Sequence, residues 1–223
     1  MSRFTRMQVL NRMYDTGVVP VFYNGDIDAA RNIVKAAAAG GATVIEFTNR
    51  GDHAWEVFTE LERFCASEVP DVALGVGSVI DAPTAAVYVN CGSSFVVGPT
   101  LNPAVAEFCN RRKIPYSPGC GSASEISQAE ALGCEIVKVF PAGQVGGPAF
   151  VKALRGPCPW TSIMPTGGVD ATAESLAAWF EAGVACVGMG SKLITKDLVA
   201  ARDWDGIAAT VRFVVETIRT LNG

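Results

Sequence analysis

Eight short apolar runs, each followed by a longer stretch of helical period, constrain this chain more than any other feature. The runs are VVPVFYN (18–24), TVIEFTN (43–49), VALGVGSV (72–79), SFVVGPT (94–100), IPYSPG (114–119), EIVKVFP (135–141), SIMPTGG (162–168) and ACVGMGS (185–191). Continuous apolar runs of this length read as strands buried on both faces, the habit of parallel sheets. The segments between them suit helices. DIDAARNIVKAAAAGG has an Asp cap, alanine-rich turns and a glycine stop. SASEISQAEALGC opens with Ser122 and Glu125 at the spacing of a capping box, and TAESLAAWFEAGV opens and closes in the same way. Strands alternating with helices build βαβ units. Eight of them in 223 residues fit a closed (β/α)8 TIM barrel of the α/β class better than an open doubly wound sheet. A flavodoxin-like sheet needs about five strands and leaves several runs unused. RFTRMQVLNRMYDTG, ahead of the first run, is expected to form an extra N-terminal helix that caps the bottom, and DWDGIAATVRFVVETIRTLNG the last helix. No linker interrupts the pattern, so residues 1–223 are expected to form a single domain.

Charge and residue counts narrow the chemistry. The net charge of -4 offers no electrostatic case for nucleic acid or an anionic membrane as a partner. No run of about 18 apolar residues is present, so no helical membrane span is expected. MSRFTRMQVL lacks the apolar core of a signal peptide, and a cytoplasmic location is the expectation. The seven cysteines are odd in number and form no CxxC pair, so they are read as reduced, mostly structural thiols. His53 is the one histidine, which excludes a zinc site built on several imidazoles, and the cysteine spacings do not suit an all-thiolate site. A Ser-His-Asp arrangement would have to use His53, which lies in a polar stretch that reads as surface near a helix start.

In such barrels the chemistry sits at the C-terminal ends of the strands. Side chains alternate along a strand. In TVIEFTN, Ile45 and Phe47 share one face, and Val44, Glu46 and Thr48 the other. With the large apolar pair toward the helices, Glu46 points inward. The same alternation in EIVKVFP sends Val137 and Val139 outward and Lys138 inward. Strands two and six of eight lie across a barrel from each other, so a carboxylate and an amine project into one interior. A buried ion pair is weak evidence for stability, and a buried lysine is rare without a role. Apolar walls lower a lysine pKa from about 10.4 toward the range of about 7–8 useful in catalysis. A neutral amine there can attack a ketone and form a Schiff base. PTGG and GMGS end strands seven and eight, where glycines let backbone N–H groups approach a phosphate. Arg50 follows on the same parity as Glu46 and suits bidentate binding of a carboxylate.

Together EFTNRG, YSPGC, KVFPA and PTGGV, in that order and spacing, resemble the 2-keto-3-deoxy-6-phosphogluconate (KDPG) / 4-hydroxy-2-oxoglutarate (KHG) aldolase family. The likeness runs from VVPVFYN to GMGSKL, and KVFPA is its most specific piece. It implies a class I, metal-free aldolase without cofactor on a (β/α)8 barrel, usually a homotrimer. Lys138 matches the Schiff-base lysine, Glu46 the general acid/base and Arg50 the arginine that binds the substrate carboxylate. Thr166, Gly167, Gly168, Gly190 and Ser191 match positions lining the carboxylate and phosphate sites; Phe140 and Pro99 match pocket walls. Ser78 keeps a hydroxyl where the family commonly has threonine.

This chain also departs from the family pattern. Gly98-Pro99-Thr100 stands where the family often reads Ser-Pro-Gly, and Gly75-Val76-Gly77-Ser78 replaces Gly-Ala-Gly-Thr. Asn49 replaces a common leucine and Lys192 a frequent tryptophan. The resemblance implies cleavage of a phosphorylated 2-keto-3-deoxy sugar acid to pyruvate and an aldehyde. The galactonate epimer, unphosphorylated 4-hydroxy-2-oxoglutarate, a phosphate-binding barrel enzyme of the thiamine or tryptophan pathways, and a non-catalytic sugar-phosphate-binding barrel stay open.

Overall fold

A computed structural model describes residues 2–222. In chain order the elements are α1 (Arg6–Thr16), β1 (Val18–Phe22), α2 (Ile27–Ala39), β2 (Val44–Thr48), α3 (Ala54–Glu68), β3 (Ala73–Gly77), α4 (Ala82–Asn90), β4 (Val96–Val97), α5 (Pro103–Arg112), β5 (Tyr116–Ser117), β6 (Gly119–Cys120), α6 (Ala123–Ala131), β7 (Val137–Val139), α7 (Ala142–Val145), α8 (Gly147–Arg155), β8 (Ile163–Pro165), α9 (Ala173–Glu181), β9 (Val187–Met189), α10 (Lys196–Ala200) and α11 (Trp204–Asn222). Each of the eight apolar runs contains a strand.

All strand pairs are parallel. A six-stranded sheet runs β5-β4-β3-β2-β1-β9, and a three-stranded sheet runs β6-β7-β8. The fifth run is one strand in expectation and two in the structure, because Pro118 has no N–H to continue the ladder. Below the proline, Gly98 N–H donates to Ser117 O (3.1 Å); at and beyond it, Lys138 N–H donates to Pro118 O (3.0 Å) and Phe140 N–H to Cys120 O (3.1 Å). At the other seam Ala185 N–H donates to Ile163 O (2.9 Å), and Thr166 pairs with Gly188. The sheet is therefore curled, with helices on its convex side.

The alternation read from the sequence divides the core in two. Ile45, Phe47, Val137 and Val139 point to the convex side and pack with helix residues such as Ile33, Phe58, Ile126, Trp179 and Val211. Val19, Val44, Ala73, Phe95, Ile136, Met164 and Cys186 point to the concave side. Val9, Leu10 and Met13 of α1 join this second cluster, so the extra N-terminal helix plugs the end from which the strands start. Two arginines brace it. Arg6 donates to Glu135 Oε1 (2.7 Å) and Asn110 Oδ1 (2.8 Å), and Arg3 to Glu62 Oε1 (2.8 Å) and Val72 O (2.8 Å).

Helix starts follow their caps. Asp26 accepts from Asp28 N–H and Ala29 N–H, and Thr172 from Ser175 N–H. At α6 only half of the expected capping box forms. Ser122 accepts from Glu125 N–H, but the Glu125 carboxylate accepts from Gly121 N–H, one residue early. The complete box is at α1, between Thr5 and Gln8. Among the described residues no helix is long and apolar enough to cross a membrane.

Candidate active site

Glu46 and Lys138 occupy the same face of the sheet as Val44 and Ile136, one step nearer the strand C-termini. In register, Glu46 sits beside Val21 and Gly75, and Lys138 beside Gly119 and Met164. Both are nearly sealed from water, at 1% and 6% exposure. Room for the carboxylate comes from Gly77, since a Cβ there would collide with Glu46 Oε1. Glu46 Oε2 is buried without a hydrogen-bond partner. Burial pushes the Glu46 carboxyl above the ordinary 4.5, partly offset by the Lys138 and Arg50 charges. Burial lowers the Lys138 amine from its ordinary 10.5, opposed by Glu46 and reinforced by Arg50. Desolvation is the leading cause in both, so burial shifts the amine and the carboxyl each toward its uncharged form.

The neighbours of Lys138 are built to approach it. Its Nζ lies 4.8 Å from the centroid of the Phe140 ring. Gly119, its register partner, carries no Cβ, and one would strike the Pro99 carbonyl. Gly119 thereby lets the Pro99 carbonyl approach the strand that pairs with Lys138. The Phe140–Pro141 peptide is cis.

A cleft of about 670 Å³ includes in its lining Thr48 and Phe140, two residues on from Glu46 and Lys138 toward the strand C-termini. Arg50, Phe140, Thr166, Gly167, Gly168, Gly190 and Ser191 line it. Glu46, Lys138, Ser78 and Pro99 are not among its lining residues, but Phe140, whose ring centroid is 4.8 Å from Lys138 Nζ, is. Ser78 is tied to the cleft through Arg50, whose Nε–H donates to its Oγ (3.2 Å). Ser78 adopts φ 60°, a left-handed conformation uncommon for a residue with a side chain. Behind Arg50, the Tyr88 hydroxyl donates to Asn49 Oδ1 (2.8 Å), so the asparagine that replaces leucine anchors the β2–α3 turn.

Gly167 and Gly168 take φ 83° and 86°, which glycine alone adopts freely. A Cβ on Gly168 would press on Gly143 Cα at 2.8 Å. Ala142 N–H donates to Thr166 O (3.0 Å) and Gly143 N–H to Gly167 O (3.0 Å), tying this turn to the one after β7. Thr166 Oγ1 is buried, has no partner, and lies where a Cβ on Gly188 would fall. The turn thus offers one unspent hydroxyl beside the cleft.

His53 and Cys120 lie outside the residues that line the cleft. His53 stands at the start of α3 with its side chain 76% exposed, 3.2 Å from Glu56 Oε1. The Cys120 thiol points to the convex side and is pushed up to about 12 by burial. Cys65, Cys109, Cys134 and Cys186 are pushed up to about 12 for the same reason. Among the described residues no three His, Cys, Asp or Glu side chains gather as a metal site.

The KDPG and KHG aldolase family profile matches residues 9–210. The chain belongs to that family. It is 31% identical over 216 residues to the 2-dehydro-3-deoxy-phosphogluconate aldolase of Haemophilus influenzae, covering 97% of this chain and 99% of the relative. With the enzyme of the same name from Pseudomonas aeruginosa it shares 37% identity over 182 residues, 81% of this chain and 80% of the relative. Its fold matches the crystal structure of KDPG aldolase from Legionella pneumophila with pyruvate captured at low pH as a covalent carbinolamine intermediate. The TM-score is 0.84 at 27% identity, covering 92% of this chain and 97% of that one.

Several residues that line the cleft escaped the sequence reading, Tyr23, Gly188 and Lys196 among them. The first two carry a usable signal, since Tyr23 continues the Val19–Val21 parity and Gly188 that of Gly190. Lys196 sits on α10, a five-residue helix too short to announce itself by periodicity.

Proposed function

We propose that the chain is a class I aldolase that cleaves 2-keto-3-deoxy-6-phosphogluconate to pyruvate and glyceraldehyde 3-phosphate. The observation that carries this reading is the pairing of two buried groups, Lys138 and Glu46, each pushed by desolvation toward its neutral form. A neutral Lys138 amine attacks the C2 ketone, giving a carbinolamine. Protonated Glu46 supplies the proton with which the carbinolamine hydroxyl leaves as water, and the protonated imine forms. The Phe140 ring beside Nζ favours this cation. Glu46, now a carboxylate, takes the C4 hydroxyl proton directly or through a water. The C3–C4 bond breaks, its electron pair passes into the imine as an enamine, and the aldehyde departs. Protonation at C3 and hydrolysis return pyruvate and free Lys138. Arg50, steered by Ser78, binds the substrate carboxylate. Thr166 and the glycine turns orient the chain of the substrate and its phosphate.

The same catalytic pair suits the galactonate epimer, which is inverted at C4, and 4-hydroxy-2-oxoglutarate, which carries a carboxylate on C4, since both keep the C2 ketone and the C4 hydroxyl. Pyruvate release from the three compounds, followed with a coupled dehydrogenase, tests the assignment. Highest kcat/KM on the phosphorylated gluconate derivative is expected; pyruvate from none of them defeats it.

We further propose that the two sheets are one closed (β/α)8 barrel, with Pro118 at one seam and the Thr166–Gly188 bridge at the other. Supporting this are the ladder bonds across both seams and the shared inner cluster under α1. A single domain spans the chain in this reading, and one cooperative unfolding transition is expected in urea. A homotrimer is proposed on the family resemblance. The exposed side chains of Trp55, Ile80 and Val87 are apolar surface of the kind a subunit contact covers, and sedimentation equilibrium is its test.

A further inference from the structure

Arg50 and its chain neighbour Asn49 are both tied to the same βα unit, β3 with α4. Arg50 Nε–H donates to Ser78 Oγ (3.2 Å), in the turn after β3. The Tyr88 hydroxyl, on α4, donates to Asn49 Oδ1 (2.8 Å). The first bond holds a side chain. The second holds the backbone from which that side chain springs.

The second bond is the more firmly built. Tyr88 is 2% exposed, and its ring meets Phe58 of α3 edge-on, 5.1 Å between centroids. Phe58 lies 6.0 Å from Phe47 of β2, and Phe47 lies 5.6 Å from Tyr23. Burial pushes the Tyr88 phenol above its ordinary 10.0, so it stays a donor across the pH range of an assay. A leucine at 49, common in the family, would leave this buried hydroxyl without an acceptor. Asn49 N–H donates to Gly77 O (2.9 Å), and Arg50 N–H folds back on Thr48 O (3.0 Å). On the far side of Arg50, a Cβ on Gly51 would collide with Tyr23 Oη and Cζ. Arg50 is thus an exposed residue between two held neighbours.

We propose that Tyr88 and Asn49 are positioning residues for carboxylate recognition, their hydrogen bond setting the backbone of Arg50 so that its guanidinium meets the carboxylate of pyruvate. This rests on the aldolase reading above. Neither residue lines the cleft, so both act through Arg50. A planar guanidinium binds a carboxylate bidentately only within a narrow range of angles, and a small rotation of the turn lowers affinity. Ser78 orients the fork through one nitrogen of an exposed side chain, which does not fix the root of that side chain.

The test is the pyruvate concentration that gives half-maximal borohydride trapping. It is measured in the intact protein, Tyr88→Phe, Asn49→Ala and the double variant, and again with Arg50→Ala added to each. Tyr88→Phe removes one oxygen and keeps the ring, and circular dichroism verifies the fold. Each single variant is expected to raise the half-saturating concentration roughly three- to tenfold, with the maximal yield of adduct unchanged. The double variant should go no further than the larger single one, because both remove the same bond. In the Arg50→Ala background the effect of Tyr88→Phe should shrink to less than about twofold, since the group it positions is gone. Should Tyr88→Phe fail to fold, Asn49→Ala, at a half-buried position, carries the same comparison. An unchanged concentration in the folded variants, or the same fold-change with and without Arg50, overturns the proposal while leaving the aldolase reading intact. No adduct in the intact protein defeats the aldolase reading, and this proposal with it.

Discussion

Two residues separate Ile136 from Lys138, Val44 from Glu46 and Met164 from Thr166, yet the two members of each pair live in different chemical worlds. Along a strand that is a rise of about 7 Å. The lower members are dry, fully apolar and sealed by α1. The upper members are a carboxyl, an amine and a hydroxyl, two of which have no hydrogen-bond partner for a buried oxygen. The lower layer gains stability from area removed from water. The upper layer forgoes that gain and holds its groups away from the water that would level their pKa values. The same parity serves both, so the step from packing to chemistry is a change of residue type on an unchanged scaffold.

Removing the amine breaks the comparison most severely. Lys138→Ala is expected to lower cleavage by roughly four orders of magnitude or more, the scale on which loss of a covalent nucleophile acts, with the circular dichroism spectrum retained. Glu46→Gln comes next. Loss of an acid/base group costs roughly 10²–10⁴-fold in kcat. A pre-steady-state trace should show slowed imine formation as well as slowed cleavage.

One layer down the outcome inverts. Ile136→Ala, two residues from Lys138, is expected to cost about 2–5 kcal/mol of unfolding free energy in urea. The kcat of whatever remains folded should change little. If Ile136→Ala lowers kcat as strongly as Glu46→Gln does, the division between the layers is wrong.

The smallest effect is the most specific. Because the Lys138 pKa is lowered in the folded chain, the unfolded chain holds that proton more tightly. Stability therefore rises with pH between the lowered value and 10.5. Glu46 runs the other way: its raised pKa contributes stability in acid that is lost as pH rises from 4.5 through the folded value. Lys138→Met should erase the first slope and keep the second. Urea melts across pH read this directly. Imine formation with pyruvate should quicken as pH rises through the lowered Lys138 value.

Much of this division is visible in the sequence. Alternation alone puts Glu46 and Lys138 on the inner face, because Ile45, Phe47, Val137 and Val139 leave no other arrangement for a strand with helices behind it. What parity could not supply is depth and breakage. Pro118 splits one run into β5 and β6 because a missing N–H matters only once the neighbouring strands are known. Glu125 turns to Gly121 N–H rather than to its own cap, a choice made by loop geometry. Lys196 enters the cleft only because Leu193 and Ile194 bury and aim the segment behind it, a tertiary effect without local signature. Tyr23 was within reach of the parity rule, extended one residue past the end of β1.

The most direct measurement is borohydride reduction in the presence of pyruvate, followed by peptide mapping. A neutral amine poised on the inner face should give one reduced adduct, on Lys138, formed fastest above its lowered pKa and slowed in Glu46→Gln. An adduct on another lysine, or none in the intact protein, would contradict the assignment of the upper layer as the seat of the chemistry.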